Sequence, residues 1–171
     1  MLRAQTEGGV TVLGFSQGVY NTLKLVHILA AIVWVGGGIF VQIYATRLIR
    51  SQDTPQLMRF AKDIERIGTT IFTPASILVL LMGIWMVWYS PAWKLTQLWV
   101  ILGLVGIANT IVVGAAFLGP EAGRLGRLTE ERGPEDPEVQ RRIRRIFAIS
   151  RYDLAVLVLV VIDMVVKPGA R

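Results

Sequence analysis

Residues 98–118 read Leu-Trp-Val-Ile-Leu-Gly-Leu-Val-Gly-Ile-Ala-Asn-Thr-Ile-Val-Val-Gly-Ala-Ala-Phe-Leu, with no charged side chain and one amide, Asn109. A helix needs about 20 apolar residues to cross the roughly 30 Å of a bilayer's hydrocarbon, and this run supplies them. It is too long for a strand, and an open sheet cannot shield its backbone polar groups from lipid. Working outward, the pattern recurs three times. Residues 67–88 carry no charge, 23–44 carry only Lys24 and His27 near the start and Gln42 near the end, and 146–166 carry Arg151, Asp153 and Asp163. The sequence therefore predicts an all-α, integral membrane four-transmembrane-helix bundle with spans at about 23–44, 67–88, 98–118 and 146–166. These form one domain over 19–168, between a flexible external segment, 1–18, and a short tail, 169–171.

Composition points the same way. The chain has 171 residues, 53% hydrophobic and 18% charged, against about 25% charged in soluble domains. Its mean hydropathy is +0.55. The absence of cysteine excludes disulfides, thiolate metal sites and cysteine catalysis, and the single histidine excludes a multi-histidine zinc site. A net charge of +6 need not mean nucleic acid, because thirteen of the 18 Lys and Arg fall within 45–66 and 119–151. By the bias of basic residues toward the cytoplasm, both segments lie inside and both termini outside, in the plasma (inner) membrane. Residues 1–18 do not read as a cleavable signal peptide, since Val10–Phe15 is short and broken by Gly14. The first span then serves as its own insertion signal.

The segments between spans carry helical patterns too. Leu57, Phe60, Ala61, Ile64 and Ile67 recur at helical spacing, as do Val139, Ile143, Ile146 and Phe147. Spans two and four therefore extend into the cytosol as amphipathic helices. Gly119-Pro120 reads as the end of span three, Gly133-Pro134 and Pro137 as the flexible part of the second loop, and Ser90-Pro91 as a tight outer turn making spans two and three antiparallel neighbours. Small residues mark contact faces in lipid: Gly36-Gly37-Gly38, and Gly103, Gly106, Thr110 and Gly114. Span four lacks such a face and reads as lipid-exposed. A glycine-rich face could also join two copies as a homodimer or seat a larger membrane complex. Pro74 kinks span two, with Thr70 and Thr73 available for the freed carbonyls. Arg141, Arg142, Arg144 and Arg145 are placed for anionic lipid headgroups.

Ionisable groups within spans are functional candidates. His27 lies about one turn below the outer edge, level with Met82 and Met86 on span two and Met164 on span four. A neutral imidazole with one or two thioethers suits haem iron or Cu(I); the alternative is a histidine bonded to a neighbouring helix amid methionine filler. Asp163 and Lys167 are four apart, acid first, and read as an intrahelical pair. Asp153 is expected to meet Arg151, Arg66 or Arg47. Asn109 needs an interhelical partner, with Trp34, Thr73 and Ser76 as candidates, and Lys24 sits at the outer edge as a structural polar residue. No phosphate-binding glycine loop or nucleophile elbow occurs, so no catalytic residue is assigned.

Lys24-Leu25-Val26-His27, followed by Trp34 and Gly37, resembles the opening helix of HemJ-type protoporphyrinogen oxidases and CopD-like membrane proteins, and Met164-Val165-Val166-Lys167-Pro168 resembles the Lys-Pro close of HemJ. Over the whole chain, His27–Gly38, Phe72-Thr73-Pro74-Ala75-Ser76, Gly119-Pro120-Glu121 and Asp163–Pro168 resemble a bacterial predicted integral membrane family, domain of unknown function 2269. The HemJ likeness implies His27 as an axial ligand of haem b. The chain departs from HemJ where Gln97 stands in place of a lysine, Lys94 is offset by a turn, and no second histidine exists, so protoporphyrinogen oxidation is not expected. The readings are thus a haem- or redox-cofactor-binding membrane protein, a non-enzymatic accessory or scaffold protein, and, third, a small transporter, which would need oligomers.

Overall fold

In the computed structural model, residues 16–169 are described; the segment expected to be flexible lies mostly outside them, as do the last two residues of the tail. Gln17 and Gly18, placed in that external segment above, already belong to a helix. The described residues form four long helices: α1 (Gln17–Ser51), α2 (Pro55–Tyr89), α3 (Leu98–Arg132) and α4 (Pro137–Val166). The first three are long and apolar enough to cross a membrane. Each has 35 residues, about 52 Å at 1.5 Å per residue. That exceeds the roughly 30 Å of a hydrocarbon core, so part of each helix belongs to a different solvent.

Gly119-Pro120 does not end the third helix, because α3 runs on to Arg132. The reason is a widened π turn at Val113–Leu118. Proline lacks an N–H and its ring crowds the preceding turn. Here the Gly119 N–H reaches five residues back to the Gly114 carbonyl, which makes room for the ring. The same solution recurs in α2: Gly68–Phe72 is π-helical, and the Thr73 N–H, just ahead of Pro74, reaches the Gly68 carbonyl. The Thr73 hydroxyl also donates to that carbonyl at 3.0 Å and Thr70 to Arg66 O at 2.7 Å. A third π turn, Ile32–Gly36, precedes Gly37 and Gly38 in α1.

The helices associate as two close pairs in their apolar halves. The α1–α2 approach needs Gly37, whose added Cβ would strike the Phe72 ring, and Gly83, whose Cβ would come within 3.2 Å of His27. In the α3–α4 pair, Gly103 receives Met164 and Gly106 receives Val160. The helix expected to be span four, α4, therefore has the partner face that its Leu/Val-rich run concealed: its own valines and methionine are the knobs, and the glycines are on α3. Its outward side, including Leu159 (63% exposed) and Val165 (78%), is uncovered. The pairs meet through Ala30, Val79 and Ile107, and through Val87, Trp99 and Val100. The 90–97 connection is not one tight turn. It closes twice, Trp93 N–H to Ser90 O and Gln97 N–H to Lys94 O, and this eight-residue span lets α2 and α3 stand apart at that end.

At the other end all four helices converge. Leu48, Leu57, Leu125, Val139 and Ile143 form the tightest core, with Val139 and Ile143 almost wholly enclosed. Glu121, just past the α3 π turn, is buried among the helix ends. It binds Arg124 at 2.9 Å and Arg142 at 3.0 Å; Arg142 also binds Glu138 at 3.1 Å, which binds Arg132 at 3.0 Å. The Arg124 hydrogen bond, backed by the charge and hydrogen bond of Arg142, holds Glu121 below the usual carboxylate range against the opposing effect of its burial. Arg142 is thus committed to carboxylates, and Arg145 lies 5.2 Å over Phe117, while Arg141 and Arg144 are exposed.

Candidate functional site

His27 is half-buried on α1, and its Nδ1 lies 2.9 Å from the Val79 carbonyl of α2. A carbonyl only accepts, so Nδ1 carries the proton and the neutral ring keeps its lone pair on Nε2. Gly83, one turn beyond Val79, allows the approach: a side chain there would crowd the imidazole. Ligating histidines commonly have one ring N–H held by a carbonyl in this way, which fixes the ring and the tautomer. Among the described residues Nε2 has no hydrogen-bond partner.

Beside the ring, where α2 and α3 stand apart, lies a cavity of about 60 Å³, with Gly83, Met86, Trp99, Gly103 and Met164 in its wall. The structure therefore brings His27, Met86 and Met164 together, while Met82 is not in that wall. The space is small for a haem. Pockets for drug-sized ligands run to roughly 300–1,000 Å³, and a macrocycle is of that size class. A single ion or a few water molecules do fit.

The other polar residues correct several expectations. Asp163 and Lys167 do not pair, because Lys167 closes the helix in the left-handed region (φ 48°), which turns its side chain off the helix face. Its ammonium sits 4.3 Å over the Trp93 ring and 5.5 Å over Trp99, rings that meet edge to face at 5.3 Å. Both carboxylate oxygens of Asp163 are buried without a partner, as is the Trp99 Nε1. Asp153 makes no ion pair with Arg151, Arg66 or Arg47; it faces Thr110 of α3, with Oδ1 unpartnered. Asn109 meets neither Trp34, Thr73 nor Ser76, since its Oδ1 accepts from the Tyr152 hydroxyl at 3.2 Å and its Nδ2 is buried unpartnered. Lys24 lies 5.8 Å over Tyr20. No group of three or more His, Cys, Asp or Glu placed to hold a metal exists among the described residues. Sequence reasoning missed Trp99 and Gly83. Trp99 is one aromatic in an apolar run, and Gly83 a single glycine in another.

Long apolar helices with Leu25, Ile32, Phe40 and Val105 each more than half exposed define an all-helical integral membrane protein, since no water-soluble domain leaves apolar patches of that extent uncovered. The chain belongs to the family described as "Predicted integral membrane protein (DUF2269)", whose model matches residues 21–168. No curated protein and no solved structure matches it, so the likeness to HemJ-type and CopD-like proteins rests on the quoted residues alone.

Proposed function

We propose that the chain is a four-span protein of the plasma (inner) membrane, both termini outside and the charged half in the cytoplasm, holding one soft metal ion, Cu(I), at His27 with Met86 and Met164. The fourth span is the apolar part of α4, whose Asp153 and Asp163 turn toward α3 rather than lipid. The single observation that carries the metal reading is the Nδ1 bond to the Val79 carbonyl beside a cavity walled by two thioethers. Imidazole and thioether ligands favour Cu(I) over hard cations, and the apolar wall excludes water. A bound copper ion would supply one-electron chemistry there. The chain's own part is to orient His27, present Met86 and Met164, and keep the site dry. Haem b, the ligand implied by the likeness to HemJ, is the weaker reading because the cavity is too small.

The test is a Cu(I) titration of the detergent-purified protein against a competing chelator, with a parallel haem titration. The expected result is one Cu(I) per chain, lost in His27→Ala, and no Soret band. One haem per chain, lost in His27→Ala, would overturn the copper reading. Uptake of neither would favour the accessory or scaffold reading, which draws support from glycines that each seat a neighbour's side chain.

A further inference from the structure

Asp163 is left unused by the preceding reading, and among the described residues both of its carboxyl oxygens are buried without a partner, where Asp153 lacks one only at Oδ1. Neither oxygen reaches solvent or a donor. Lys167, the cation nearest in sequence, is held over Trp93 and Trp99 instead, Lys24 lies over Tyr20, and Lys94 is exposed on the 90–97 connection. The α3 face that Asp163 packs against offers Gly103, whose Cβ position is 3.8 Å from Oδ2, and no charge. A buried carboxyl without partners is expensive to retain. Gly103 and Met164 both belong to the cavity wall, so the carboxyl adjoins two residues of the wall without itself lining the space beside His27.

We infer that Asp163 is the counter-charge of the His27 cavity, a positioning residue that makes the site select a monovalent soft cation over neutral or anionic ligands. This rests on the copper reading and extends it. The imidazole and thioethers are uncharged, so a cation entering among them would be an isolated charge in an apolar medium. A carboxylate behind Gly103 neutralises it without occupying the cavity. Trp99, whose Nε1–H is buried and unpartnered, belongs to the same wall. No electron moves in this assignment; the bound state has one cation facing one carboxylate.

Ag(I), a redox-inert probe of Cu(I) sites, tests this by calorimetry and thermal melting in lipid nanodiscs. Asp163→Asn is expected to weaken Ag(I) binding roughly 10–100-fold, the order for removing one unit charge from a partly buried pair. Asp163→Glu should stay within about threefold of wild type, the charge being kept. Without Ag(I), Asp163→Asn should melt no lower than wild type, because a carboxyl that makes no hydrogen bond is replaced by its isostere; with Ag(I), it should lose the rise that wild type shows. A purely structural carboxyl gives the opposite result, a lower melting temperature and unchanged affinity, and overturns the inference while the His27 reading stands. A wild-type protein that binds no Ag(I) overturns both.

Discussion

Replacing Gly106 by alanine places a methyl group where Val160 Cγ2 of α4 already sits. Within a helix, glycine to alanine gains about 1 kcal/mol of propensity, whereas forcing a methyl into a packed seam costs about 1–3 kcal/mol. The net at Gly106 runs from neutral to a loss of about 2 kcal/mol. Gly114, two turns along the same helix, has nothing within 4 Å of its Cβ position, so only the gain remains. The difference between the two alanine variants therefore isolates the overpacking cost. At roughly 2–4 °C per kcal/mol for a chain of this size, the melting temperatures should differ by roughly 2–12 °C, Gly114→Ala being the higher. Circular dichroism melts in one detergent measure this. Val160→Ala should cost less in the Gly106→Ala background than in wild type, since it clears the space. Equal melting temperatures, with no coupling between 106 and 160, would refute the α3–α4 seam.

Ile143→Ala empties the centre of the four-helix convergence and should cost about 2–5 kcal/mol, read from denaturant unfolding. Glu121 is held below its ordinary value of 4.5 in the fold, so its stabilising contribution is whole above that value and disappears as pH falls through the depressed folded one. Glu121→Gln should accordingly be less stable than wild type at neutral pH and converge with it in acid, which melting temperatures across a pH series will show. Gly133→Cys should react with a membrane-impermeant thiol reagent only after cells are opened; labelling of intact cells would reverse the charge-based orientation.

Much of this architecture was legible in the sequence, because uncharged runs of some 20 residues leave few alternatives to lipid-embedded helices. His27, Met86 and Met164 could be set at one level by counting residues from the ends of the runs. What resisted reading came from backbone detail. Gly119-Pro120 has the composition of a helix stop, and only the π turn beneath it keeps α3 going; a glycine six residues ahead of each proline, Gly68 before Pro74 and Gly114 before Pro120, was the signal available. The acid-first spacing of Asp163 and Lys167 predicts a pair, but that rule assumes both residues are helical, and Lys167 is not. Met82 and Met86 share a face by periodicity, yet only Met86 reaches the cavity, because spacing gives a residue's direction and not the gap between two helices. Glu121 and Arg142 are 21 residues apart, and no local pattern joins them.

The central claim is that lipid solvates the apolar half. Spin labels at Val105 and Leu159, both more than 60% exposed, test it most directly in reconstituted vesicles, with a label at Arg59 as reference. The account predicts that Val105 and Leu159 are relaxed by dissolved oxygen and shielded from a water-soluble nickel chelate, with the reverse at Arg59. Free access of the chelate to Val105 and Leu159 would contradict it.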